Sequence, residues 1–256
     1  MMKSLALALF LSTPLFSCES AWVSLFNGKD LQGWTPKFKG QKMGVNLHKT
    51  FRVEEGILKC EYDQYPAFEN QFGHLYSDLS YSHFILRLEY KFVGKMMPDA
   101  PHYVNLNSGL MFHSQPPQSI ALAQAFPVSM EFQFLADEGK GPRPTGNVCT
   151  PGTNLEIDGK LVTQHIVKSS AENLPADQWV AIELEVHGND LVIHRVNGKE
   201  VLRYQKPQLD PQGRTESAES LLKAGAPLQL SFGHLALQAE GQPVWFRNIK
   251  LKQLSK

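Results

Sequence analysis

Glu131 and Gln133 lie two residues apart in the run Met130-Glu131-Phe132-Gln133-Phe134. Side chains in a strand alternate, so these two share one face while Met130, Phe132 and Phe134 share the other. A carboxylate in that setting can move a proton or ligate a metal, and an amide beside it can hold hydroxyls or orient the acid. Upstream, Asn107-Ser108-Gly109-Leu110-Met111-Phe112-His113 repeats the pattern. Leu110 and Phe112 point one way, and Asn107, Met111 and His113 point the other. Ordinary solvent-facing strands also alternate in this manner; the repetition on neighbouring runs is what suggests a site. His113 is then a second candidate base or ligand. His234 and Gln238 share a face in HLALQ and are further polar candidates. Glu89 and Lys91 could reach the same face or form an exposed ion pair. Trp34 and Trp245 could offer a stacking surface to a ligand or pack in a core. Glu131 with one or two histidines could hold a divalent ion. No HExxH, paired CxxC or EF-hand loop specifies one.

These residues need strands to position them, and the chain is rich in strand signals. Phe84, Leu86, Leu88, Tyr90 and Phe92 alternate with Arg87, Glu89 and Lys91. Trp179–His187 does the same, with Ile182, Leu184 and Val186 opposite Glu183 and Glu185. Leu191–Val196 follows as its partner and turns at Asn197-Gly198. Phe51–Cys60 reads as a hairpin about Glu55-Gly56, and Leu25–Leu31 as a short strand entering an Asn-Gly turn. Leu228–Phe232, Leu235–Gln238 and Val244–Leu251 complete the set. Helical signals are confined to Ser119–Ala125 and Ala218–Lys223. About a dozen strands separated by turns predict an all-β, two-sheet antiparallel sandwich or jelly roll. The turn-rich Asp137–Gly152 reads as a long functional loop rather than a domain boundary.

The 256 residues suit one large β domain or two small ones, and no linker rich in Pro, Gly or Ser divides the chain. Net charge is zero and no basic or acidic block occurs, which argues against nucleic acid or an anionic membrane surface as the main partner. Residues 1–18 read as a secretory signal: one lysine, the apolar run LALALFL, then a stretch ending at Cys18. Leu15-Phe16-Ser17-Cys18 resembles a bacterial lipobox, so the expectation is an exported protein, periplasmic or at the cell surface. It would be lipid-anchored at Cys18 or simply cleaved nearby, with a single domain over 22–256. Export permits Cys60 and Cys149 to pair, but two cysteines set no framework, and the sequence favours two unrelated thiols.

Six segments, LFNGKDLQGW, FRVEEGILKC, NSGLMFH, SMEFQF, WVAIELEVHGNDLVIHRVNGKEV and LALQAEGQPVWFRNIKLKQL, occur in this order between Leu25 and Leu254. Together they resemble the 3-keto-disaccharide hydrolase domain of secreted bacterial proteins. That resemblance implies a concanavalin-A-like jelly roll with a sugar site on its concave sheet. Gln238 and Arg247 match its closing pattern. Arg247 would polarise a ketone, hold a hydroxyl or tie the last strand to its neighbours. CTPGT (Cys149–Thr153) resembles a subgroup of the family without implying a role.

The implied substrate is an oligosaccharide or glycoside oxidised at C3. The ketone acidifies the C2 proton, a base removes it, and the C1 substituent is eliminated; water then adds back. The expectation is a carbohydrate-active hydrolase or lyase. Glu131 or His113 would act in catalysis, and Gln133, Asn107, His234, Gln238 and Arg247 would contact the sugar. Ordinary glycosidases use two carboxylates, and the strand pattern offers one central acid, Glu131. The alternative is a non-catalytic, lectin-like module. A structural subunit of a surface assembly would instead need a large exposed apolar patch.

Overall fold

The computed structural model describes residues 21–212 and 216–255. The expected secretory signal, with Cys18, lies outside the described residues. In chain order the strands are β1 (Val23–Ser24), β2 (Trp34–Phe38), β3 (Phe51–Glu54), β4 (Ile57–Cys60), β5 (Gly73–Tyr81), β6 (His83–Phe92), β7 (Asn107–Ser114) and β8 (Met130–Leu135). They continue as β9 (Val148–Cys149), β10 (Thr153–Ile157), β11 (Lys160–Val162), β12 (Ile166–Val167), β13 (Val180–His187), β14 (Leu191–Val196), β15 (Lys199–Leu209), β16 (Gly233–Ala239) and β17 (Val244–Gln253). One helix, α1 (Glu216–Lys223), precedes β16.

The strands form two sheets. A ten-stranded sheet runs β11-β10-β15-β14-β13-β6-β17-β4-β3, with β1 against β17. A seven-stranded sheet runs β12-β9-β8-β7-β16-β5-β2. The pairings are antiparallel throughout. The result is a two-sheet jelly-roll sandwich. Its core forms where the apolar halves of the alternating strands meet. Phe112, Phe132 and Phe134 of one sheet face Leu86, Tyr90, Leu184 and Phe246 of the other, all buried. Tyr90 stacks on Phe134 at 4.4 Å between ring centroids, and His194 stacks on Phe132 at 4.1 Å.

Three expected elements differ. Leu25–Leu31 is not a strand, because Asn27 folds it into a turn: its Oδ1 accepts from the amides of Lys29 and Asp30. Leu228–Phe232 makes one isolated bridge, Gln229 to Gln208, and otherwise runs as loop. Ser119–Ala125 forms no helix; a single 3-10 turn at Pro117–Ser119 precedes it. Trp34–Phe38 and Gly73–Tyr81, which pattern alone passed over, pair with each other at one edge of the seven-stranded sheet.

The two outer faces are unlike. The ten-stranded sheet shows solvent a charged lattice, in which Arg195 bridges Glu183 and Glu185 at 2.7 Å each. The seven-stranded sheet buries polar side chains under loops. The segment between β7 and β8 folds back over it, seating Ile120 on Tyr76, Met111 and Ala236. Phe126 of the same segment packs near Phe72 and His74.

Candidate active site

Strand register places Glu131 in a row across the seven-stranded sheet. Tyr76 pairs with Ala236, Ala236 with Met111, Met111 with Glu131, and Glu131 with Cys149. Gln133 is one step along β8 on the same face, opposite Gly109. Gly109 carries no side chain, and the Glu131 carboxylate leans into that space: a Cβ there would lie 2.3 Å from Glu131 Oε1.

Over this row opens a cavity of about 640 Å³, a size usual for small-ligand sites. Glu131, Gln133, Asn107, Gln238 and Glu240 line its sheet side. Tyr103, Phe126, the Pro142–Pro144 turn, His165 and Lys168 border it from the loops. A chain of amides fixes the floor. Asn147 Nδ2 donates to Gln133 Oε1 at 3.0 Å, Gln133 Nε2 to Asn107 Oδ1 at 3.3 Å, and Asn107 Nδ2 to the Tyr103 carbonyl at 3.1 Å. Arg143 uses its guanidinium to tie the wall, donating to the carbonyls of Leu106, Ala136 and Asn105.

Two carboxyls are buried here. Desolvation pushes Glu131 up to about 8, with a smaller opposing effect from the Cys149 thiol that donates to it. Burial also pushes Glu240 well above the ordinary carboxylate range, and the charge of Glu131 adds to that. Glu240 Oε2 and Gln238 Oε1 have no protein hydrogen-bond partner. Such orphaned atoms beside a cavity are suited to a polar ligand. Farther along the sheet, His74 pairs in register with Gln238. Burial, then the nearby Lys37 charge, pushes His74 down to about 3.

Glu131, Gln133, Asn107 and Gln238 thus come together, and three other expected site residues do not. A bulge sets Phe112 and His113 of β7 against Leu235 alone of β16. His113, at φ 46°, turns off the site face, and its Nε2 meets the Gly188 carbonyl of the opposite sheet at 2.8 Å. His234 lies beyond the same bulge, with Nδ1 2.8 Å from the Ser77 carbonyl; both histidines line a separate cavity of about 200 Å³. Arg247 belongs to the outer face of the ten-stranded sheet. Its Nε donates to Glu89 at 2.8 Å and its guanidinium lies 4.1 Å over the Trp179 ring. Glu89 and Lys91 share that outer face, as does Trp245, whose Nε1 donates to Glu61. Trp34 is in the core, donating to the Leu25 carbonyl.

Pattern reading missed Glu240, Asn147 and the place of Cys149. Glu240 was reachable, because Ala236, Gln238 and Glu240 continue one alternation. Asn147 carried no local signal. The second carboxyl corrects the expectation of one central acid. Among the described residues, no three His, Cys, Asp or Glu side chains come together to hold a metal ion. Cys60 and Cys149 are both free and buried.

Comparison with known proteins follows the same line. A candidate glycosyl hydrolase from Parabacteroides distasonis superimposes with a TM-score of 0.54 at 19% identity, over 91% of this chain and 94% of that one. A Bacillus subtilis protein of unknown function with a galectin-like fold gives 0.56 at 12% identity, again over 91% and 94%. At these identities the likeness is one of fold, the jelly-roll sandwich. No curated protein matches the chain. The model of the 3-keto-alpha-glucoside-1,2-lyase-like domain matches residues 21–252, most of the chain. The chain belongs to that family.

Proposed function

We propose that the cavity binds a 3-keto-glycoside and cleaves its C1–O bond by elimination, with Glu131 as the base. The carbohydrate-active family supplies the substrate class. The observation that carries the residue assignment is a buried carboxyl, Glu131, on the floor of a sugar-sized cavity beside a fixed chain of amides. A desolvated carboxylate is a stronger base than one in water, and perturbed acids in clefts cluster at functional sites. In its ionised form, whose share rises as pH approaches 8, Glu131 takes the C2 proton, and the electron pair moves onto the C3 oxygen as an enolate. The enolate collapses to the ketone, a C1–C2 double bond forms and the C1–O bond breaks. Glu240, held neutral by burial, gives its proton to the departing oxygen. Water added across the double bond restores a 3-keto-sugar, so the net outcome is hydrolysis. Asn107 and Gln133 brace the floor, and the free Oε1 of Gln238 accepts from a sugar hydroxyl.

The test is release of p-nitrophenol from p-nitrophenyl 3-keto-glucoside, beside the parent glucoside and with a chelator arm. Glu131→Gln keeps the shape and removes the base, so turnover should fall about a hundred- to ten-thousand-fold, the range of positioned acid–base catalysis. Substrate deuterated at C2 should react more slowly, or exchange its label with solvent if proton removal is not limiting. Full activity in Glu131→Gln would pass the role to Glu240. Turnover of the parent glucoside at an equal rate would remove the need for a ketone. A drop in the chelator arm would add a metal ion to the chemistry. One observation favours a binding module instead: Tyr103 is exposed beside the amides, as a sugar-stacking ring would be. Binding of intact sugars with no turnover of any 3-keto-glycoside would support that reading.

A further inference from the structure

The cleft of about 200 Å³ that holds His113 and His234 shares no lining residue with the Glu131 cavity. Its apolar wall is Val128, Leu209, Leu221 and Leu230, which belong to a small cluster separate from the main core. That wall exists because Leu228–Phe232 runs as loop. The Leu230 amide donates to the Pro207 carbonyl at 2.9 Å, and the Leu209 amide to the Leu228 carbonyl at 2.7 Å. Phe232 lines the cleft yet stays exposed, so the space is open to solvent on that side. The polar wall is built on the β7 bulge. His113 has φ 46°, a left-handed backbone that costs a non-glycine residue free energy and that clusters at ligand sites. The Gly188 carbonyl can only accept, so His113 Nε2 carries the ring proton and Nδ1 is left a bare acceptor. Burial lowers the ring to about 4, which keeps it neutral at ordinary pH. Nδ1 is buried and has no protein partner. A buried acceptor without a donor is uncommon in a folded protein and costs free energy.

We propose that this cleft is a second ligand site and that its occupant is a single six-membered aromatic ring bearing one hydroxyl. The ring lies against the leucines, and the hydroxyl donates to His113 Nδ1. Size limits the occupant first. A cavity of about 150 Å³ lined by Leu, Ile and Phe takes up benzene, and the cleft is slightly larger, with room for one ring and one small substituent. Chemistry limits it second. A sugar would turn several hydroxyls toward the leucines and leave them unpaired. A hydrocarbon ring would leave Nδ1 without a donor. An anion would set its charge against a bare acceptor, and among the described residues no lysine or arginine lines the cleft. A phenol joins an apolar body to one donor, which is what the two walls ask for.

The experiment measures Kd for phenol and for toluene, which has the same shape without the hydroxyl, by calorimetric titration of the full chain. The proteins are the wild type, His113→Asn, Leu230→Trp and Glu131→Gln. Asparagine tolerates the left-handed backbone and lacks the ring nitrogen, and the tryptophan fills the cleft. Differences in ligand solvation cancel when the ratio of Kd for toluene over phenol is compared between proteins. That ratio should fall about tenfold in His113→Asn, the scale of one buried hydrogen bond. Leu230→Trp should lose phenol binding, and Glu131→Gln should bind phenol as the wild type does. Should neither cleft variant fold, the wild type still decides: the nitrogen resonance of His113 Nδ1 should move further with phenol than with toluene. No binding of phenol by the wild type, an unchanged ratio in folded His113→Asn, full binding in folded Leu230→Trp, or a His113 resonance indifferent to phenol would overturn the site. Binding lost in Glu131→Gln would put the ring in the other cavity and overturn it as well.

Discussion

Gly109 shapes the site by what it lacks. A Cβ there would meet Glu131 Oε1 at 2.3 Å and its Cγ at 2.7 Å. Because the obstructed atoms are the end of a flexible side chain, Gly109→Ala should fold and melt close to wild type while Glu131 swings off its position. Misplacing a reacting group by an ångström can cost about a hundredfold, so a loss of that order in turnover of p-nitrophenyl 3-keto-glucoside is expected. Unaltered kcat would mean that the carboxylate does not act from the position described. At this scale the sequence was informative where period two alone decides: Glu131 and Gln133 share a face because nothing interrupts β8. It was silent where a loop delivers the residue. Asn147 reaches Gln133 because the Gln133 amide donates to its carbonyl at 3.0 Å, a long-range pairing that no local pattern encodes. Glycine inside a strand often marks a close approach, and Gly109 is such a mark.

The elements show where alternation stops being a guide. His113 was placed on the site face by counting twos from Met111, and the β7 bulge breaks the count. Every side chain past such an insertion changes face. The bulge is admitted by Gly233 across from it, where a Cβ would lie 2.4 Å from the His113 carbonyl carbon. Arg247 was displaced for another reason. Alternation from Val244 to Arg247 is intact, with Phe246 in the core and Arg247 outside ahead of a bulge at Asn248, but β17 belongs to the other sheet. Which sheet a strand joins is not written in its own residues. Arg247→Ala should therefore leave kcat/KM for the 3-keto-glucoside unchanged. It should lower stability by up to about 2 kcal/mol, since a half-exposed ion pair and a cation–π contact are each worth about 1 kcal/mol or less. Thermal melting beside steady-state kinetics checks both halves, and a loss of activity at constant Tm would return Arg247 to the site.

In the molecule as a whole, the two outer faces carry opposite electrostatic designs, and this bears on pH. Glu131 keeps its proton in the fold to about pH 8, while its ordinary value is 4.5. Between those values the folded state binds more protons, so this contribution to stability is complete below about pH 4.5 and is lost as pH rises through 8. Glu240 acts in the same direction. His74, His113 and His194 act oppositely: burial lowers them to about 3, 4 and 3, so their contribution is lost as pH falls below 6.5. The difference in Tm between wild type and Glu131→Gln isolates the carboxyl. The variant should gain on the wild type from pH 5 to 8, by up to about 1.4 kcal/mol per pH unit. Parallel curves would show that Glu131 is solvated. The sulfurs follow the same burial. Cys60 is pushed up to about 12 and Cys149 well above its usual range, so neither presents the thiolate that exchanges with disulfides. The folded domain thus has one covalent structure, the same in an oxidising compartment as in a reducing one.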